Sequence, residues 1–258
     1  MALMKTSNPA LGQNTFSDFA RSQTGGPLVD ASQRMTLNGT INKTGILLLC
    51  AAATAAWTWS SFLGTHDFSV AGPALAIGGI GGFIVAIITA FKKEWSPVTA
   101  PIYALLEGLV LGGISALFEQ RFPGIAMEAV GLTFGTLFVM LLVYKSGLIK
   151  VTDKFRIGVF AATGGIALFY LAQMILSLFH VPFFTSVYGN GLAGIGFSLF
   201  VVVIASLNLV LDFDFVEQGV AYGVPKYMEW YAAFGILVTL VWLYFEMLRL
   251  LAKMRSRN

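Results

Sequence analysis

Long apolar stretches separated by short polar ones dominate the chain after about residue 44. They cover seven ranges: 45–63, 70–91, 99–118, 124–144, 156–180, 189–211 and 230–251. Each has close to the about 20 residues with which an α-helix crosses a hydrocarbon core of about 30 Å. No stretch alternates apolar and polar positions over about ten residues, as strands of a membrane barrel do. The pattern therefore predicts an all-α polytopic membrane protein, a seven-transmembrane-helix bundle.

Polar segments at the two ends predict the domain limits. Residues 1–44 are rich in Ser, Thr, Asn and Gly, and we expect a polar cytoplasmic N-terminal segment there. Neither a leading basic cluster nor an early apolar run occurs in it, so we expect no cleavable signal peptide. Residues 45–252 would form the transmembrane domain, and residues 253–258 a basic tail.

The composition agrees with a lipid environment and excludes several classes of function. Of the residues, 57% are hydrophobic and 11% charged, against about 25% charged in soluble domains. Basic residues at membrane edges account for the net charge of +3, so no nucleic-acid partner is expected. The single cysteine, Cys50, excludes a disulfide framework and a thiolate metal cluster. Neither a Gly-x-Ser-x-Gly nor a His-Glu-x-x-His motif nor a phosphate-binding glycine loop is present, so an enzyme is not expected.

The loops predict the orientation in the membrane. Lysine and arginine flank helix one on its amino-terminal side and occur after helices two, four and six, whereas Arg121 alone lies in the short loops of the other side. By the positive-inside rule the amino terminus is cytoplasmic. Seven spans would then place the basic carboxyl end outside, against the same rule. A last segment that enters the membrane and returns is the alternative.

Small residues predict close helix packing. Gly78 and Gly82 form a Gly-x-x-x-Gly spacing, and further glycines follow in later segments: Gly112, Gly113, Gly164, Gly165, Gly191, Gly194 and Gly196. Such residues let helix backbones approach closely in lipid. We expect them to pack the bundle internally rather than to form a dimer interface.

Within or at the ends of the spans, the ionisable side chains are mostly acids: Glu107, Glu128, Asp212, Asp214, Glu229 and Glu246. Glu107 is the deepest, about eight residues into helix three and roughly 12 Å along its axis. A carboxylate there has to face the bundle, bind a cation or stay protonated. The alternative to a functional role is that Glu107 stays protonated and has only a structural role. Glu246 lies three residues before Arg249 and is expected to pair with it.

The stretch "LDFDFVEQG" places three acids directly after an apolar span: Asp212, Asp214 and Glu217. Asp212 is the inward candidate, because it continues a line of small or polar residues from Ser206 and Asn208. A turn containing Gly219, Gly223 and Pro225 then leads to Glu229 in the last helix. We expect Asp212, Asp214, Glu217 and Glu229 to line one cytoplasmic turn. Oxygen ligands at that density favour a cation, calcium first, with Asp212 as a ligand, or a shared proton.

The chain resembles the Bax inhibitor-1/YccA family (the transmembrane BAX inhibitor motif family), in its bacterial branch with a longer amino-terminal region. The likeness is carried by "MTLNGTINKTGILLL", "PIYALLEGLVLGGIS", "LNLVLDFDFVEQG" and "YMEWYAAFGILVTLVWLYFEMLRLL" and covers nearly all of the chain after about residue 30. The resemblance implies a seven-helix bundle with a central last helix in the bacterial inner membrane. It also implies a pH-sensitive calcium leak and, in some members, association with a membrane-bound protease.

Members of this family commonly hold two aspartates, at the end of helix six and in helix seven, which share protons and latch the pore. Asp212 matches the first of them. The second position falls near Thr239, which does not ionise. Either Glu229, Glu246 or Glu107 replaces the second acid, or this branch has lost the latch. Helix two also has no basic residue to act as a partner.

Two functions follow as expectations. The first is an inner-membrane cation leak, calcium first, in which inward acids lower the cost of a cation and protonation closes the path. Its ion-pathway and pH-sensing residues would be Asp212, Glu107, Asp214, Glu217, Glu229 and Glu246, and it needs no cofactor. The second is a regulator of a membrane protease or another membrane complex that presents its polar amino-terminal segment to the partner.

Overall fold

The computed structural model describes residues 33–65, 68–179 and 189–257, and these residues contain seven long helices and no strand. The helices are α1 Leu37–Thr65, α2 Phe68–Phe91, α3 Ser96–Arg121, α4 Ile125–Lys145, α5 Asp153–Leu178, α6 Leu192–Ala221 and α7 Met228–Arg255. All seven are long and apolar enough to cross a membrane. In lipid, a helix satisfies its own backbone hydrogen bonds. The predicted seven-helix all-α fold is confirmed.

The last helix, α7, is the centre of the bundle. It packs against α1, α3, α4 and α6, and most of the residues in its apolar stretch are buried. It is one continuous helix of 28 residues, which spans about 42 Å at the helical rise. A continuous helix of that length does not reverse its direction, so α7 does not have the re-entrant form considered as the alternative.

Several predicted glycines do pack helices within the chain. A Cβ at Gly112 of α3 would collide with the backbone carbonyl of Ala55 in α1, and a Cβ at Gly78 of α2 would lie 2.6 Å from the carbonyl oxygen of Leu106. These glycines allow α1 and α2 to lie directly against α3. Other glycines of the same prediction, Gly164, Gly165, Gly191 and Gly196, would meet no such atom within 4 Å.

The helix ends extend beyond the apolar stretches. Helix α1 begins at Leu37, inside the range expected to be a polar segment, because the Thr36 hydroxyl accepts a hydrogen bond from the Gly39 amide at 3.0 Å and caps the first turn. Helix α6 continues past residue 211 to Ala221. Hydropathy marks only the part of a helix that contacts hydrocarbon, and polar turns beyond it remain helical. Residues 1–32 of the predicted segment lie outside the described residues.

Candidate functional site

The three acids of "LDFDFVEQG" lie on one continuous helix, with Asp212 on a different side from Asp214 and Glu217. Successive residues of an α-helix are rotated by about 100°, so Asp212 and Asp214 face different sides of α6. Asp212 is buried, with 1% of its surface exposed, whereas Asp214 is partly buried and Glu217 is exposed. These three acids therefore do not line the turn that follows α6, because the helix extends through all of them to Ala221.

Asp212 meets α7 at Thr239. The Thr239 hydroxyl donates to the Asp212 Oδ2 atom at 2.6 Å, and both side chains are buried. The same hydroxyl lies 3.2 Å from the carbonyl oxygen of Gly235, one turn earlier in α7. Asp212 is about nine residues, or roughly 14 Å, from the end of α6, which places this contact inside the bundle. The structure thus brings together Asp212 and Thr239, the two positions to which the resemblance in the sequence had pointed.

Asp214 and Glu217 bind side chains of the neighbouring helices instead. Arg156 of α5 donates to the Asp214 carboxylate at 2.7 Å, and Gln218 donates to the same oxygen at 2.5 Å. The Tyr144 hydroxyl of α4 donates to Glu217. Both acids therefore link α6 to other helices and do not face Asp212.

The chain before α1 is bound to the turn between α6 and α7. The Met35 amide donates to the carbonyl oxygen of Val224 at 2.7 Å, and the Lys226 amide donates to that of Gln33 at 2.8 Å. Gly223 permits the sharp turn because its φ angle is 63°, in the left-handed region that glycine adopts without strain. The amino-terminal side of α1 is thereby held against the start of α7.

Glu229 is the acid that this arrangement encloses. It is fully buried, and its carboxylate forms an ion pair with Lys43 of α1. The amide and the hydroxyl of Thr36 each donate to it at 2.9 Å. A Cβ at Gly39 would collide with the carboxylate, so α1 reaches this group only because Gly39 has no side chain. Glu229 therefore anchors α1 to α7 and does not contribute to an open acidic turn.

Glu246 lies in a second polar cluster near the other end of α7. Arg249 donates to its two oxygens at 2.7 and 2.9 Å, as the three-residue spacing predicts. Tyr170 of α5 donates to the same carboxylate at 2.9 Å, and the Arg249 guanidinium lies 5.0 Å from the Tyr170 ring centre. This cluster, in which Glu246 is buried and Arg249 and Tyr170 are half-buried, connects α5 with α7.

Glu107 lies apart from all of these groups. Its carboxylate is half-buried and is near Gly82 of α2, where a Cβ would lie 3.4 Å from its Oε2 atom. Tyr103, one turn earlier on α3, hydrogen-bonds to it. Glu107 thus belongs to the α2 and α3 side of the bundle, and Asp212 to the α6 and α7 interface.

The acids of the described residues do not gather into one cluster. Within them, no group of three or more His, Cys, Asp or Glu side chains is arranged to hold a metal ion. Each acid has its own partner: Thr239 for Asp212, Arg156 for Asp214 and Lys43 for Glu229 lie on another helix, whereas Arg249 pairs with Glu246 within α7. Glu229, Glu246 and Glu107 are each engaged with other groups, and the group of α7 that binds Asp212 is the Thr239 hydroxyl.

A cavity of about 420 Å³ lies beside α7, between α1, α3 and α4. Its walls are almost entirely apolar, with Ala51 and Ala55 on one side and Leu240 on the other. Ser115 and Tyr244, whose hydroxyls are 2.5 Å apart, are among its few polar groups. None of the described residues that line it is a carboxylate, so a cation inside it would lack charged ligands from them.

Sequence reasoning missed the basic and phenolic partners of these acids. Lys43 was assigned to a cytoplasmic flank, yet its ammonium reaches Glu229, 186 positions away. Arg156 pairs with Asp214 of α6 across 58 positions, and Tyr170 with Glu246 of α7 across 76. Only the short spacing of Glu246 and Arg249 was visible in the sequence. No local periodicity marks the long-range pairs, because they depend on which helices become neighbours.

The comparisons with known proteins agree with this architecture. The protein-family model described as Bax inhibitor 1 like matches residues 8–256. Neither the curated proteins nor the solved structures gave a match. The match covers all seven helices, including both residues of the Asp212 and Thr239 contact. The chain therefore belongs to the Bax inhibitor 1 like family and is a multi-pass membrane protein.

Proposed function

We propose that this protein is a cation leak channel, with calcium as the first cation to test, and that protonation of Asp212 closes it. The observation that carries the proposal is the buried Asp212 carboxylate at the interface of α6 and the central helix α7. A carboxylate at membrane depth is costly, and proteins retain such groups mainly in ion and proton pathways. Membership of the Bax inhibitor 1 like family supports the same class of function.

The contact with Thr239 suggests how a path would open. A hydroxyl donor holds a carboxylate less strongly than a cationic donor does. A small shift of α7 against α6 would therefore exchange the Thr239 hydroxyl for water or a cation at Asp212. Protonation removes the negative charge that attracts the cation, so acidification would favour the closed bundle.

The membrane and the orientation of the protein in it are part of the same proposal. We place the protein in a bacterial inner membrane with its amino terminus in the cytoplasm. The lysines and arginines that follow α2, α4 and α6 support this orientation.

Calcium flux into liposomes that contain only the purified full chain tests the proposal. We expect flux that falls as the pH is lowered, and we expect Asp212→Asn, which imitates the protonated acid, to flatten that dependence. The matched control is Glu217→Gln, five residues further along α6, because Glu217 is exposed and a glutamine still accepts from Tyr144. The control should keep the wild-type profile.

A chain that carries no calcium or other cation in this assay, although correctly folded, would contradict the proposal. The protein would then be better described as a regulator of a membrane protease or another complex. Glu107→Gln is measured separately, because Glu107 lies away from Asp212. Unchanged flux in that variant would assign Glu107 a structural role between α2 and α3.

A further inference from the structure

A second cavity, of about 410 Å³, lies at the end of the bundle where α3 and α7 finish. Three cationic side chains line it: Arg121 from the last turn of α3, and Arg249 and Lys253 from α7. Asn190 and Ser256 add polar groups to the wall, and no carboxylate lines the cavity among the described residues. Its lining therefore differs from that of the apolar cavity beside α1, and it suits an anion.

The cations on α7 are placed where an anion would stabilise them. Arg249 and Lys253 are four residues apart, on the same face of the helix, and like charges at that spacing repel each other. Glu246 offsets part of this charge through its ion pair with Arg249. Arg121 and Lys253 bring two further positive charges to the same space. A bound anion would lower the repulsion among the three.

Lys253 is unusual for a residue at the end of a helix because it is buried, with 6% of its surface exposed. Its ammonium donates to the carbonyl oxygen of Gly194 at 3.0 Å, which directs the side chain inward, towards α6. Burying a charged ammonium is costly unless it has hydrogen-bonding and charged partners. This side chain therefore contributes a positive charge at the wall of the cavity.

The cavity lies at the ends of two helices, where we expect the phosphate groups of a bilayer. Helix α3 ends at Arg121 and α7 ends at Arg255, so the cavity lies where spans leave the hydrocarbon. Leu117 and Phe118 supply apolar surface on its wall. Basic pockets between transmembrane helices bind lipid head groups by this combination of charge and apolar surface. Arginine in particular binds phosphate through paired N–H groups.

We propose that this cavity binds a phosphate group through Arg121, Arg249 and Lys253, supplied by an anionic phospholipid or by free phosphate. Such a ligand would also account for the basic end of α7, which seven spans place on the side opposite the cytoplasmic loops. The positive charge there is matched by the ligand and does not have to follow the positive-inside rule.

Binding to the purified full chain in neutral detergent tests this site. The probes are phosphatidylglycerol, phosphatidylcholine and inorganic phosphate, with native mass spectrometry for the lipids and a thermal-shift titration for all three. We expect Arg121→Gln and Lys253→Gln each to weaken binding by roughly ten-fold, the effect of one lost hydrogen bond to a charged group. Lys145→Gln is the matched control, an exposed lysine at the other end of the bundle.

The probes distinguish the source of the phosphate. Binding of phosphatidylglycerol that inorganic phosphate does not displace identifies a lipid site, and saturable binding of inorganic phosphate identifies a free-anion site. Arg121→Gln keeps the test decisive if Lys253→Gln does not fold, because Arg121 is exposed at a helix end. The proposal is overturned if no probe binds, or if both variants bind as tightly as the wild type and Lys145→Gln.

Discussion

The Thr239 hydroxyl donates a hydrogen bond of 2.6 Å to the Asp212 carboxylate, across the interface of α6 and α7. The resemblance noted in the sequence had led us to expect an acid near Thr239 as the partner of Asp212. Here the acid of α6 meets a neutral donor, which stabilises the ionised carboxylate and needs no shared proton to do so. This difference determines how we expect the helix pair to respond to mutation and to pH.

Removing the hydroxyl by Thr239→Val should destabilise the protein by about 1–3 kcal/mol, because a buried carboxylate loses a donor. The matched control is Thr133→Val on α4, a buried threonine whose hydroxyl bonds to the Ala129 carbonyl of its own helix at 2.7 Å. Thr133→Val should destabilise the protein less than Thr239→Val, because the Ala129 carbonyl keeps its backbone hydrogen bond. Unfolding in mixed detergent measures both, and equal losses would argue against a specific role for Thr239.

Introducing a second acid by Thr239→Asp should make the stability of the protein depend on pH. At low pH one carboxyl is protonated and donates to the other, whereas at high pH the two charges repel each other at close range. The unfolding temperature of this variant should therefore fall as pH rises, more steeply than that of the wild type. Thr239→Asn provides the neutral control, and the same slope in both variants would show that residue 239 does not face Asp212.

Breaking the ion pair between Lys43 and Glu229 should loosen the start of α1. Lys43→Met leaves the fully buried Glu229 carboxylate without its cation. We expect the free energy of unfolding to fall by about 3 kcal/mol, near the lower end of the range for breaking a buried ion pair. Adding Glu229→Gln should recover part of that loss, because it removes the unpaired charge. Lys150→Met, at an exposed lysine, serves as the control. A double variant no more stable than Lys43→Met would show that the pair is not coupled.

Adding a methyl group at Gly112 should separate α3 from α1. The new Cβ of Gly112→Ala would meet the backbone carbonyl of Ala55, which has little freedom to move, and overpacking of this kind costs about 1–3 kcal/mol. Gly135→Ala on α4 is the control, since a Cβ there has no such atom within 4 Å and gains up to about 1 kcal/mol in helix propensity. Equal effects measured by thermal unfolding would argue against close packing at Gly112.

The two ends of the chain should lie on opposite sides of the membrane, because seven helices separate them. A reporter fused at the amino terminus should read cytoplasmic, and one fused after Asn258 should read external. An insertion at Gly147, between α4 and α5, provides a cytoplasmic control beside Lys145 and Lys150. A cytoplasmic reading at both ends would contradict the seven-span topology.

The number and type of the helices could be read from the sequence because each apolar run carries the information locally. About 20 apolar residues specify a spanning helix whatever its neighbours are. The same local pattern indicated that Asp212 rather than Asp214 turns inward, because residues two apart on a helix face different sides. It also indicated the pair of Glu246 and Arg249, which are separated by a single turn.

Which side chain meets each acid was decided by the tertiary structure alone. Lys43 reaches Glu229, and Arg156 reaches Asp214, only because α1 packs on α7 and α5 on α6. Asp212, Asp214, Glu217 and Glu229 were expected to line one turn. Because α6 extends to Ala221, the first three lie within the helix and contact different side chains. Hydropathy fixes what crosses the membrane, since it is a property of each segment. The partners of buried charges depend on distances between segments, which are set when the helices pack.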